Sequence, residues 1–249
     1  MPLPKIGYPT YELELPSTGK KIKYRPFLVK EEKVLLLTLE ERPQPEEDKE
    51  KWDKWEDQVK LAVKDLIKNC VISRINVEDL PSFDLEYLFM KIRAAAIGEI
   101  IVLTVTCNDD GVTQVDVPID VNKIEVKKNP DHTNKWMISD DVGIVMKYPS
   151  MDRFIDSEFL NKDIKTDELF EFIAEHIDQV FDGDEVQDSA DMSKKEVVEW
   201  LQTFTSAQFE GFETFYKTMP KYQHTFTATN PNTGVESEYT MEGMSSFFA

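Results

Sequence analysis

The stretch from Trp52 to Cys70 constrains this chain most. Trp52, Trp55, Val59, Ala62, Val63, Leu66, Ile67 and Cys70 recur at steps of three and four. That spacing winds one continuous apolar stripe along a helix and leaves the charged residues on its other face. Such a stripe has to be buried against other elements, and a chain with 15 Phe, 8 Tyr and 4 Trp has the aromatic area to do it. A disordered chain is excluded on the same ground. A second helix is expected over about 84–96, with Leu85, Leu88, Phe89 and Ile92 inward, Ser82 as its N-cap and Gly98 as its stop.

Strand patterns surround these helices. Tyr11 to Leu15 and Lys21 to Arg25 alternate apolar with charged residues across the turn Ser17-Thr18-Gly19-Lys20, which predicts a hairpin. Residues 31–41 (EEKVLLLTLEE) predict a short helix with acids in its first turn, followed by the Pro- and charge-rich linker RPQPEEDKEK. Residues 99–106 and 112–119 form a second expected hairpin around Asn108-Asp109-Asp110-Gly111, and a third β-pair is expected at 135–138 and 142–148. Helices are expected at about 151–160, 167–181, 194–205 and 207–218, the third marked by a Ser193/Glu196 capping box. A last hairpin spans 223–229 and 235–241.

The result is an α+β class, helices packed on short antiparallel hairpins. The expected division is a first part at 1–130 and a second at 131–249, the latter an acidic helical region closed by the last hairpin, although one compact domain fits equally well. Placing Gly111 over Gly234 sets Thr104 and Thr106 over Thr227 and Thr229. Two readings of this stay open: a duplicated helix–hairpin unit, or two ordinary hairpins made alike by restrictive turn chemistry.

The charge sum is −19. A chain this acidic repels a phosphate backbone and an anionic membrane surface, so neither nucleic acid nor membrane is an expected partner. No apolar run is long enough for a membrane span, the first residues lack the apolar core of a signal peptide, and two distant cysteines make no disulfide framework; a reducing cytoplasm is expected. The charge is unevenly spread. Met151 to Trp200 holds sixteen acids against five bases, whereas Met1 to Lys30 holds six bases against two acids. Either these are two solvated faces, or they are ends that dock differently charged partners.

Catalytic and metal signatures are poor. Cys70 sits on the apolar stripe and reads as core. Cys107 lies at a hairpin edge, where paired cysteines would grip zinc, but its counterparts Asn230 and Ala228 supply no second thiol. Counted from Asp182, the acidic run to Asp191 departs from a calcium-loop template at Val186, Gln187 and Ser193 and reads as a solvated loop. No nucleophile elbow, Walker loop or dinucleotide fingerprint is present, and His132, His176 and His224 are scattered, His176 reading as a surface or interface residue. No catalytic residue, no metal site and no cofactor is expected. A metal-dependent hydrolase is the remote alternative, to be exposed by elemental analysis.

Leu15–Lys20 (LPSTGK) and Tyr24–Lys33 (YRPFLVKEEK) resemble the opening of the T4-type bacteriophage baseplate protein family, the hub assembly proteins of contractile-tailed phages. Agreement continues through Leu88–Glu99, Met146–Pro149, Val180–Val186, Phe215–Pro220 and Gly243–Phe248, nearly the whole chain in order. The resemblance implies a non-enzymatic role in building the baseplate hub in the host cytoplasm, with hub proteins or other hub assembly factors as partners. It leaves open whether the protein departs as a chaperone or stays in the virion baseplate as an adaptor. Relatives often carry Cys-x-x-Cys pairs in hairpins like those at Cys107 and Asn230; this chain departs from that pattern and is expected to be metal-free. Candidate partner-binding residues are Lys20, Lys21, Lys23, Tyr24 and Arg25 around the first hairpin, with Phe248 near the C-terminus. Phe27 reads as core, packed on the Leu35–Leu37 helix, and Phe247 as core beside a partner-facing Phe248.

Overall fold

The computed structural model describes Pro4 and residues 6–44, 48–150 and 166–243. The fold is α+β, with helices and several small antiparallel sheets. Packing divides the chain into two units, 1–127 with 221–249, and 128–220. The closing hairpin therefore groups with the first unit and not with the helices that precede it in sequence. The cause is backbone pairing: Lys221 and Tyr222 pair with Lys127 and Val126.

In the first unit, β1 (Tyr11–Glu14) and β2 (Lys21–Tyr24) form the expected hairpin. Helix α1 (Val29–Glu40) and helix α2 (Lys49–Cys70) follow, and α2 buries Trp55, Val59, Val63, Leu66, Ile67 and Cys70 as the stripe requires. The Trp55 indole N–H donates to the Thr38 carbonyl at 2.9 Å, and the Arg42 guanidinium lies over both tryptophan rings. Helix α3 (Ser82–Ile97) starts two residues earlier than expected. Pro81 holds the N-cap position and Ser82 is buried within the first turn, while Gly98 ends the helix as anticipated. Strands β3 (Ile100–Thr106) and β4 (Gln114–Asp120) pair next. After the short β5 (Val126–Lys127) the chain passes into the second unit.

That unit is less helical than its sequence suggests. Strands β6 (Lys135–Met137), β7 (Val142–Met146), β8 (Ile177–Asp182) and β9 (Glu185–Asp188) form one antiparallel sheet in that order. Helix α4 stops at His176 (Thr166–His176), so residues 177–181 of the expected helix are strand. Apolar spacing alone could not separate the two states, because Ile173, Ile177 and Val180 satisfy a helical period too. Pairing on both sides by β7 and β9 decided it, and Ile, Val and Phe suit a central strand. The acidic run after Asp182, expected as a loop, is a tight turn followed by β9.

Helices α5 (Lys194–Leu201) and α6 (Ser206–Thr218) complete the unit, the former with the capping box at Ser193 and Glu196. Ile144, Met146 and Ile177 from the sheet meet Ile173, Val197, Leu201, Phe212 and Phe215 from the helices. Phe215 is the centre of an aromatic cluster, with the rings of His132, Trp136, Tyr148 and Tyr216 between 5.1 and 6.3 Å from its own. Strands β10 (Lys221–Thr229) and β11 (Glu236–Glu242) then form the last hairpin of the first unit. The expected helix at 151–160 lies outside the described residues, as do Phe247 and Phe248.

Candidate interaction surface

The first hairpin is anchored before it is displayed. Ser17, at its turn, donates its backbone N–H at 3.1 Å and its hydroxyl to the Asp84 carboxylate of α3, which is fully buried. Along β2, the Lys23 N–H donates to Ser73 Oγ, and the Arg25 N–H donates to the Cys70 carbonyl. One strand edge is thereby tied to the chain just beyond α2.

Arg25 and Tyr24, expected at a partner surface, are internal instead. Tyr24 is 6% exposed and stacks on Tyr11. Arg25 is 7% exposed; its Nη2 donates to Glu31 Oε1 at 2.9 Å and its Nη1 to the Pro26 carbonyl. Glu31, also buried, accepts from the Leu28 N–H through its other oxygen, closing the first turn of α1. Burial alone would raise the Glu31 pKa, but the hydrogen bonds from Arg25 and Leu28 outweigh it and hold the carboxyl below its usual range. Burial likewise opposes the Arg25 charge, and the Glu31 hydrogen bond overcomes it and raises that pKa. Phe27 is buried as expected.

Lys20, Lys21 and Lys23 remain exposed. Strand register places Lys23 opposite Glu12 and Lys21 opposite Glu14, so two of the cations have a carboxylate as cross-strand neighbour and the cationic field is weaker than a count of bases suggests. A second surface feature went unread in the sequence. Helix α1 buries Glu31 and Leu35, yet turns Val29, Val34, Leu36 and Leu37 outward at 50–79% exposure, with the exposed Lys30 and Lys33 among them. The clue was there: three consecutive leucines cannot all lie on one helix face, and a contiguous exposed apolar patch marks an interaction site more often than a lone leucine does.

The turns of the two long hairpins meet each other. Gly111 and Gly234, both at positive φ, donate to the carbonyls of Cys107 and Asn230, giving two turns of one design, the first loop being one residue longer. The side-chain amide nitrogen of Asn230, a residue only 1% exposed, lies 2.9–3.1 Å from three carboxylate oxygens of Asp109 and Asp110. Thr233 donates its hydroxyl to Asp109, Asn232 reaches Thr113, and Tyr239 bonds the backbone at Thr106 and Asn108. This donor set does not suit a zinc ion. Cys107 is the one thiol at these turns, its pKa is raised by burial and by the two aspartates, and the equivalent position of the other turn holds Asn230, whose amide donates to Asp109 and Asp110. Among the described residues no three His, Cys, Asp or Glu side chains are grouped to hold a metal ion.

Hydrogen bonds from Asn230 and Thr233 lower the Asp109 pKa, and those from Thr113 and Val112 lower that of Asp110 strongly. With folded pKa values below the unfolded value of about 4, this junction contributes its full stability above that pH and loses it as pH falls further. Acid titration followed by circular dichroism should show a transition that Asn230→Ala makes shallower and shifts to less acidic pH.

His132 and His176 have separate hydrogen-bond partners. His132 Nδ1 and Nε2 lie 2.9 Å from Thr218 Oγ1 and the Tyr148 hydroxyl. The Thr218 hydroxyl donates to the Thr214 carbonyl at 2.6 Å, so it accepts from the imidazole and offers no proton for a base to remove. His176, expected at the surface or at an interface, is 4% exposed and bonds the Phe172 carbonyl through Nδ1.

No helix among the described residues is long and apolar enough to cross a membrane. No curated relative and no solved structure matches the chain. The family model of the T4 bacteriophage base plate protein matches residues 8–249, which include the anchored hairpin, both units and the paired turns. The chain belongs to the T4 bacteriophage base plate protein family.

Proposed function

We propose that this baseplate protein is a non-enzymatic assembly factor for the baseplate hub, acting in the host cytoplasm by binding hub subunits and holding them in register. The observation that carries the reading is the outward face of α1, four large apolar side chains with Lys30 and Lys33 among them, on the same N-terminal segment as Lys20, Lys21 and Lys23. Its partner is a hub subunit presenting an apolar surface with an acidic rim, because complementary charge steers such an encounter and rejects wrong neighbours. Ordering subunits on one template lowers the entropic cost of closing an assembly.

Two variants test the surface separately. Leu36→Ser with Leu37→Ser should abolish co-purification with hub subunits from infected cells while leaving thermal stability unchanged, since both side chains are half exposed. Neutralising Lys20, Lys21 and Lys23 to Gln should weaken association about tenfold at low salt and progressively less as salt rises. Glutamate at Lys21 or Lys23 is a poorer choice, because it would place like charges opposite Glu14 and Glu12 and disturb the hairpin itself. Full binding by both variants overturns the proposal. Mass spectrometry of purified particles then sets the protein's fate: absence fits a departing factor, and stoichiometric peptides make it a permanent adaptor.

A further inference from the structure

A cavity lies wholly within the second unit. Set between the face of the four-stranded sheet and α5, it has a volume of about 430 Å³, within the range of about 300–1,000 Å³ usual for ligand pockets. Its apolar lining is Val142, Val180, Met192, Val197 and Trp200, and its rim carries Asp182, Glu185, Asp191 and Glu196 with no Lys, Arg or His. Glu196 is occupied in the capping box of α5, where its carboxylate accepts from the Ser193 N–H and hydroxyl. Asp182, Glu185 and Asp191 are exposed and make no ion pair among the described residues. The two lysines of α5 are drawn elsewhere, Lys194 to Glu171 and Glu175, Lys195 to Glu199.

We infer that this cavity receives an arginine side chain from an extended basic segment of a partner protein. The chemistry selects the occupant in three steps. Carboxylates around an apolar floor, with no cation of their own, require a positive charge carried on an apolar stem, which is what a long basic side chain supplies. They are spread around the rim and do not converge as a metal ion would need. Trp200, partly buried in the lining, offers a ring on which a guanidinium stacks better than an ammonium does. The segment bearing that side chain has a place too. β9 is the outer strand of the sheet and contributes Glu185 and Gln187 to the cavity, so its outer edge, which pairs with no strand among the described residues, can accept an added strand beside it. The inference names a second contact for the assembly role but stands on different residues from α1 and the first hairpin.

The test is calorimetric titration of the full chain with the synthetic pentapeptide acetyl-Val-Arg-Val-Arg-Val-amide. The expected result is saturable binding, reduced about tenfold in affinity by Asp182→Asn with Glu185→Gln and Asp191→Asn, and reduced by Trp200→Leu in a variant whose circular dichroism is unchanged. Neutralising three exposed acids of the other unit, Asp53, Glu236 and Glu238, should leave binding as it was. Equal loss in that control would show diffuse attraction to an acidic chain and overturn the site. So would equal affinity for the citrulline peptide, which has the same shape without the charge, or displacement of the peptide by calcium at equimolar concentration. Because the assay needs no hub subunit, its failure leaves the reading of α1 untouched.

Discussion

Replacing Arg25 by alanine should cost the first unit about 3 kcal/mol, because it leaves the buried Glu31 carboxylate only the solvent-exposed Lys30 ammonium, at 3.3 Å, as a cation. Chemical denaturation followed by the fluorescence of Trp52 and Trp55, in a background with Trp136 and Trp200 of the second unit replaced by Phe, reads the first unit, and the midpoint should fall with an unchanged slope. Glu31→Gln should cost less, since an amide still accepts from Leu28. Replacing both members by apolar residues, Arg25→Met with Glu31→Leu, should recover most of the loss, as buried ion pairs break even against well-packed hydrophobes. The wild-type pair also fixes a pH dependence. The Glu31 pKa is lower in the folded state, so its contribution is complete above the unfolded value of about 4 and is lost as pH drops below it. A double variant as unstable as Arg25→Ala alone would show that the pair is not what holds α1 to the hairpin.

In the second unit the largest effect should come from Phe215→Ala, at about 4 kcal/mol. The ring is 1% exposed and touches the rings of His132, Trp136, Tyr148 and Tyr216, so its removal empties the centre of that cluster and no single neighbour can swing in to fill it. Phe215→Leu should cost roughly half as much, because it keeps most of the apolar volume. Near-ultraviolet circular dichroism, dominated by packed aromatic rings, should collapse for the alanine variant before the far-ultraviolet signal changes. Retention of the near-ultraviolet spectrum would place the organising contact elsewhere.

How much could be read from residues alone depended on where each segment's partners lay. The α2 stripe, the first hairpin and the capping box at Ser193 were legible because their signals are local: a period, a turn and a three-residue spacing. β8 was not, since its identity as a strand comes from β7 and β9 on either side of it. The site residues divide similarly. Lys20, Lys21 and Lys23 are exposed as a hairpin turn with alternating charges implies, but Arg25 went inward because Glu31, six residues on, neutralises it, and nothing in the spacing of the motif reveals that pairing. The LPSTGK and YRPFLVKEEK segments that carry the family resemblance turn out to hold the unit together internally, through Ser17 to Asp84 and Arg25 to Glu31, while of the four outward apolar side chains of α1 only Val29 falls within them and Val34, Leu36 and Leu37 lie just beyond.

The pairing of Lys127 with Lys221 has a consequence for how the chain is made. A ribosome releases residues 6–127 first, but their sheet at β5 and the turn contacts of Asp109 and Asp110 wait for β10, β11 and Asn230, which emerge about a hundred residues later. The second unit is contiguous and completes itself in between. During synthesis the order is therefore reversed relative to the usual N-terminal-first sequence: the later-encoded unit can fold while the earlier one is still open, and the paired turns close only when nearly the whole polypeptide has been translated. A chain truncated by premature termination between about residues 220 and 230 would retain a folded middle and an unsealed beginning, with the carboxylates of Asp109 and Asp110 lacking the Asn230 amide.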